Sequence, residues 1–190
     1  MKMKNTFLVF VLAGMCLASP VTSVHGGSVL RLELVDSPPI YSGSTFEVQV
    51  LADVGTYEIV AFGFDVVWES MDVTFDLAVV APPFVDTSLS FPDTDVAGGI
   101  DPFQGAASGD DVLLATLSFA ALNAGMTSVG IFSNLSDLSE LNEGLFFPCP
   151  TPRIDMTTSL EISVSEIPLP PALLLLGSGL AALALIRRKE

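Results

Sequence analysis

Apolar and polar side chains alternate with a period of two along most of residues 29–164, and no long stretch holds the 3.6-residue period of an amphipathic helix. Residues 29–35 set Leu30, Leu32 and Leu34 against Arg31 and Glu33, and residues 45–52 put Phe46, Val48, Val50 and Ala52 on one face. Residues 58–68 carry Val60, Phe62, Phe64, Val66 and Trp68 at even spacing, opposed by Ala61, Gly63, Asp65 and Val67. Further strands are predicted over 73–80, 112–120, 128–133 and 154–164. In the second of these, Leu114, Thr116 and Ser118 are expected to face away from Ala115, Leu117 and Phe119. Turn signals separate the runs, as in Asp36-Ser-Pro-Pro and Tyr41-Ser-Gly-Ser. Short strands between such turns predict an all-β domain, a jelly-roll or immunoglobulin-like β-sandwich.

Two stretches break the pattern. Residues 82–111 are rich in Pro, Gly and Asp and read as a long loop with at most a weak strand at 88–91. Residues 134–152 hold Leu135, Leu138, Leu141 and Leu145, which suits one short helical turn or an irregular crossover. Loops of this kind are where a binding function is carried.

The two ends have a different pattern. Lys2 and Lys4 precede an apolar run over 7–18, and Val21-Thr22-Ser23 and Val24-His25-Gly26 offer small residues for a signal peptidase, so residues 1–26 read as a cleavable signal peptide. Residues 27–164 then form the domain and residues 165–190 a tail. In the tail, prolines at 168, 170 and 171 stop a helix from extending backward, and an apolar run over 172–186 is closed by Arg187, Arg188 and Lys189. That places the domain outside the cytoplasm. The run is 15 residues, about 22 Å as a helix, short against a hydrocarbon core of about 30 Å. A temporary tether fits that length better than a permanent anchor.

Ile167-Pro168-Leu169-Pro170, the Leu-Leu-Gly-Ser-Gly core and the basic Arg187-Arg188-Lys189 end together resemble a PEP-CTERM sorting signal, with Ile167 in place of the usual Val and Pro171 in place of Ala. The resemblance implies an exosortase as processing partner, an inner-membrane precursor in a Gram-negative bacterium, and a final place at the cell surface or in the extracellular matrix.

Charge sharpens this picture. Residues 24–166 hold 21 acidic residues against Arg31 and Arg153 alone, a net charge of −19. Such a surface repels nucleic acid and anionic headgroups. Of the two cysteines, Cys16 lies in the signal segment, so Cys149 has no partner in the mature chain and no disulfide framework is expected.

The residues exclude several chemistries. The single histidine, His25, lies at the signal cleavage site, which leaves neither a serine nor Cys149 with a base to activate it. Paired carboxylates would suit a glycoside hydrolase, but acids at this density follow from solvation, and no enzyme is expected. Calcium is the sharper candidate, using Asp93, Asp95, Asp101, Asp110 and Asp111; Asp93-Thr-Asp95 opens like an oxygen-ligand loop, yet Ala97 and Gln104 fail the EF-hand positions. No other cofactor is expected. Aromatic rings stack on sugars, which makes Trp68, Phe146 and Phe147 candidate ligand contacts, although the even spacing of Trp68 with Phe62 and Phe64 points it at the core.

A second resemblance covers most of the domain. Gly43-Ser-Thr-Phe-Glu-Val-Gln-Val50, Val60-Ala-Phe-Gly-Phe-Asp-Val-Val-Trp68 and the run from Gly109-Asp-Asp-Val112 through Ala124-Gly-Met-Thr-Ser-Val129 are similar to a cohesin-type domain. Cohesin-like domains are jelly-roll sandwiches related in fold to carbohydrate-binding modules, and the cellulosomal ones bind dockerins. The resemblance implies a non-catalytic domain that binds another macromolecule, a protein first and an exopolysaccharide as the alternative; no dockerin motif stands in this chain.

Overall fold

Phe46, Val48, Val50 and Ala52 are buried while Thr45 and Glu47 are exposed, so the alternation in this segment is that of a strand with one face on a core. A computed structural model of the chain describes residues 29–91, 93–101, 105–136, 142–148, 151, 153–168 and 175–176. Within them the strands are β1 (Val29–Leu34), β2 (Ile40–Tyr41), β3 (Thr45–Asp53), β4 (Gly55–Ile59), β5 (Ala61–Trp68), β6 (Val73–Val80), β7 (Phe84–Asp86), β8 (Val96–Ile100), β9 (Ala107–Gly109), β10 (Val112–Ala121), β11 (Gly125–Phe132), β12 (Gly144–Phe146) and β13 (Thr158–Ser165). A single 3-10 turn covers Ser88–Ser90.

The strands form a four-stranded sheet in the order β1-β3-β10-β6 and a seven-stranded sheet in the order β2-β13-β11-β5-β8-β7, with β12 also paired to β5. A small ribbon joins β4 to β9. The inner faces of the two large sheets meet in one apolar core. Phe46 stacks on Phe119 at 5.5 Å, Phe119 lies 5.6 Å from Phe75, and Phe75 reaches Trp68 of the opposite sheet at 5.8 Å. This is the predicted β-sandwich, and six of the predicted strands stand close to their expected places.

The differences have local causes. The strand expected over 58–68 is two strands, because the chain changes sheet at Val60. Ile59 is buried at the end of β4, whereas Phe62, Phe64 and Val66 are buried in β5, so the inward-facing set switches from odd to even positions. Leu114 does not oppose Ala115: the register with β3 slips between Leu113 and Ala115, and this bulge buries both side chains. The stretch expected to be a loop over 82–111 contains β7, β8 and β9, with a 3-10 turn where the weak strand was expected. In the stretch over 134–152, Gly144–Phe146 form β12, a strand the sequence reading did not include; Leu138 and Leu141 lie outside the described residues. The last strand starts at Thr158, and Ile154 makes only an isolated bridge to Leu145.

Strand β5 is flanked by β8 on one side and on the other by β12 along its first half and β11 along its second. Two glycines permit this crowding. A Cβ at Gly98 of β8 would sit 2.6 Å from the Phe62 ring, and one at Gly63 would sit 2.1 Å from the backbone carbonyl oxygen of Asn142. The segment entering β12 therefore lies directly on β5, and the Asn142 amide donates to the Thr94 hydroxyl.

Gly63→Ala must push that segment off the strand. We expect a loss of about 1–3 kcal/mol in unfolding free energy, typical of overpacking, read as a lower urea midpoint with an unchanged slope. An unchanged midpoint would show that Asn142 is not seated on β5.

Candidate functional site

Residues paired across neighbouring strands point to the same side of a sheet, so the registers define the outer face of the seven-stranded sheet row by row. Asp65 of β5 pairs with Phe132 of β11, and Val67 pairs with Gly130, which in turn pairs with Ser159 of β13. The next rows set Ser128 beside Glu161 and Met126 beside Ser163. The inward partners on the same strands, Val66, Val129, Ile131 and Ile162, are buried. On the outer face Val67 is 45% exposed, Phe132 42% and Met126 63%, far more than an ordinary strand residue over a core. A methyl group of Val67 lies 3.1 Å from where a Gly130 Cβ would stand, so the Val67 side chain leans over Gly130.

Acidic groups border these apolar side chains. The Asp95 backbone N–H donates to Asp65 Oδ1 at 3.2 Å, and Asp95 Oδ2 accepts from the Val66 N–H at 2.9 Å. Burial, aided by the charges of Asp95 and Asp93, pushes the Asp65 carboxyl above its ordinary value despite the Asp95 hydrogen bond.

The end of β11 is fixed by polar contacts. Ser133, directly after Phe132, donates its hydroxyl to Asp155 Oδ1 at 2.9 Å and accepts from the Met156 N–H at 2.8 Å. Thr157 gives the same Asp155 oxygen both its N–H and its hydroxyl, at 2.8 and 2.7 Å. Burial alone would raise Asp155, but the Thr157 and Ser133 donors win and hold it below the ordinary carboxylate range. Next to this knot, Arg153 donates to the backbone carbonyls of Glu143 at 3.0 Å and Leu135 at 2.8 Å. Burial lowers the Arg153 pKa, and the charge of buried Glu143 opposes that shift.

The residues singled out from the sequence fall in several places. Trp68 is half-buried and packs on Phe75, so its ring belongs to the core. Phe147 is buried with its ring edge-on to Tyr57 at 6.0 Å, and Phe146 is half-buried in β12. The five aspartates fall in separate places. Asp93 and Asp95 lie with Asp65 on the large sheet, Asp101 follows β8, and Asp111 pairs with Arg31 while its N–H donates to Asp53 Oδ1 at 2.7 Å; Asp110 is exposed beside it. Arg31 also binds Glu33 and Asp53, which hold its pKa above the usual value, Asp53 most strongly. Among the described residues no three His, Cys, Asp or Glu side chains gather into a group that could hold a metal. Ile167 and Pro168 are exposed. Leu169, Pro170, Arg187, Arg188, Lys189, Cys149 and the signal segment lie outside the described residues, as does all of 172–186 except Leu175 and Leu176, which are helical. No helix among the described residues is long and apolar enough to cross a membrane.

The sequence reading missed Val67, Phe132 and Met126 as a surface feature. Val67 was legible as an outward-facing aliphatic opposite the Phe62-Phe64-Val66 set, but its pairing with β11 is a matter of register, which one strand cannot reveal.

No protein-family model matches the chain, and no curated protein matches it. Solved structures do. The cohesin module of a family 33 glycoside hydrolase from Clostridium perfringens superposes with a TM-score of 0.52 at 11% identity, covering 74% of this chain and 100% of that module. CaCohA2 from Clostridium acetobutylicum is similar at a TM-score of 0.46 and 17% identity, over 72% of this chain and 90% of that one. CaCohA2 in complex with CaDoc0917 gives 0.46 and 18%, over 66% and 92%. The first likeness establishes a cohesin-like fold for this chain.

Asp65 and Asp155 couple stability to pH in opposite senses. Asp155 has a depressed folded pKa, so its contribution is present above the ordinary carboxylate value and is lost as pH falls through the folded value. Asp65 has a raised folded pKa, so its contribution is present below the ordinary value and is lost as pH rises through the folded one. Asp65→Asn is therefore expected to raise the urea midpoint at about pH 7 and to leave it unchanged near about pH 3, below the ordinary carboxylate value, where Asp65 is largely protonated folded and unfolded. Asp155→Asn is expected to lower the midpoint at neutral pH and to converge on the parent protein in acid. Parallel profiles for the two variants would refute this assignment.

Proposed function

We propose that this chain is an exported, non-catalytic binding module that docks another protein on the outer face of its large sheet. The carrying observation is the exposure of Val67, Phe132 and Met126 on two neighbouring strands, above inner faces that are fully packed. Val67 and Met126, an aliphatic and a sulfur side chain, share that face with Phe132, a mixed apolar surface that suits a protein partner better than the stacked ring faces a sugar prefers. The cohesin-like fold supports the same reading, because cohesin modules are protein-binding domains.

Export and sorting belong to the proposal. The signal peptide at 1–26 delivers the chain across the inner membrane of a Gram-negative bacterium, and an exosortase acts on the tail at 165–190, with Ile167-Pro168-Leu169-Pro170 as its motif and Arg187, Arg188 and Lys189 as the stop. The processed domain then works at the cell surface or in the extracellular matrix.

Site-directed photo-crosslinking in the producing cells tests the docking face. A benzophenone side chain at Ser159, which shares a row with Val67 and Gly130, is expected to yield a protein adduct. The adduct is expected to disappear in a Val67→Asp, Phe132→Asp double variant, and a probe at Glu47 on the outer face of the four-stranded sheet is expected to give none. No adduct from Ser159, or a protease-resistant polysaccharide adduct, overturns the reading.

The sorting proposal is tested by expressing the precursor with and without its exosortase and measuring intact mass and location. Loss of the C-terminal run and release from the membrane only when the exosortase is present is the expected outcome. A tail retained in both hosts would make this a permanently tethered domain.

A further inference from the structure

We infer that the partner presents an apolar segment interleaved with Lys or Arg, because the apolar side chains of the docking face are set among carboxylates that no cation among the described residues answers. This rests on the docking reading above and adds the chemistry of what docks.

The positive charge of the domain is engaged elsewhere. Residues 29–168 contain only two basic side chains, Arg31 and Arg153. Arg31 joins Glu33, Asp53 and Asp111 and ties β1 to β3 and to the turn before β10. Arg153 is directed at the carbonyls of Glu143 and Leu135 and fastens the crossover between β11 and β13. Arg31 stands on the other sheet, and Arg153 lies over Gly144 of β12, where it bonds the crossover.

That face carries Asp65 in the same row as Phe132, Asp95 bonded to Asp65, Asp93 close enough to raise it, and Glu161 beside Ser128. Rows of a sheet repeat about every 6.8 Å on one face. Phe132, Val67 and Met126 are therefore each within one or two rows of a carboxylate. A neutral apolar partner would cover Asp65 and strip it of water without compensation, which is costly. A lysine or arginine supplies the compensation, since its methylene stem lies on apolar surface while its charged head reaches a neighbouring carboxylate. The net charge of −19 over residues 24–166 would also speed the encounter with such a partner.

The outer face of the other sheet also sets apolar side chains near carboxylates, but there Arg31 stands among them and binds Glu33. Its exposed Leu77 and Val79 lie on edge strand β6, and the rows beyond them are Ser118 with Glu47 and Thr116 with Gln49. It serves as the control surface.

The test uses two synthetic peptides as probes, one alternating Lys with Leu and Phe, the other with Glu in place of every Lys. Amide shifts of the isotope-labelled full domain report the site, and titration reports affinity. The Lys peptide is expected to shift Val67, Phe132 and Ser159, and to weaken as salt rises from about 50 to about 300 mM. Neutralising Asp65 and Asp93 as Asn is expected to weaken it about two- to tenfold, the scale of two partly exposed ion pairs. The same charge change on the control sheet, Glu47→Gln with Asp76→Asn, is expected to have little effect.

If the Glu peptide shifts the same residues as tightly as the Lys peptide, the charge inference falls while the docking face stands. If the control pair weakens binding as much as the Asp65 and Asp93 pair, attraction is diffuse and the inference falls. If neither peptide shifts Val67 or Phe132, both the inference and the docking reading fall.

Discussion

Strand β5 is where the layers of this fold meet, and its alternation constrains everything around it. Phe62, Phe64 and Val66 must face inward because they fill the space between the sheets, which forces Asp65 and Val67 outward. The inward rings reach Phe84 at 5.1 Å, so the large sheet can continue past β8 only if β8 offers no side chain over Phe62, and Gly98 satisfies that need. On the opposite edge the strand has to serve two neighbours. Gly63 lets the segment before β12 rest on the first half, and Gly130 lets β11 and β13 crowd the second half where Val67 leans across. Packing inside the sandwich thus dictates the composition of the surface outside it. An apolar side chain and a carboxylate alternate along one exposed strand because the intervening positions are committed to the core.

Charge plays the complementary role. A domain this acidic repels itself, and a self-repelling surface is destabilising unless its few cations are placed where they hold the structure. Both arginines fasten chain crossings: Arg31 where β1, β3 and the Asp110-Asp111 turn converge, Arg153 where the crossover leaves and re-enters the large sheet. Asp111 adopts a positive φ of 59° at that turn, a conformation aspartate tolerates because its short polar side chain finds local partners. Among the described residues, placing both cations at these crossings leaves the carboxylates on the outer face of the large sheet to solvent.

Most of the sandwich was legible in the sequence because its central strands alternate strictly, and alternation is a local signal. What escaped was decided by neighbours distant in the chain. Val96-Ala-Gly-Gly-Ile100 has almost no strand character alone, yet it is a strand because glycine is what fits over Phe62. Leu114 is buried beside Ala115 through a bulge that single-strand periodicity cannot contain. The proposed docking face was half legible. The outward orientation of Val67 follows from the parity of Phe62 and Phe64, but bringing Phe132 beside Asp65 requires the β5–β11 register, and the acids marked in 93–111 divide between two sheets for the same reason. The ends of the chain were read from motif and charge.

The topology also orders the docking face relative to the tail. β13 ends at Ser165, immediately before the tail proposed as a sorting segment, and it runs antiparallel to β11, with Val164 opposite Gly125 and Thr158 opposite Ile131. Phe132 and Asp65 therefore lie at the far end of β13 from the point where the chain leaves the sheet, roughly 20 Å away at about 3.3 Å per residue. Met126 lies at the near end. In a precursor held by its tail, the end of the face with the densest acidic groups is the end farthest along the sheet from the tether. If the chain is tethered and processed as proposed, that arrangement keeps carboxylates away from the anionic headgroups that would repel them and leaves the Phe132 end open to the proposed partner before processing as well as after it.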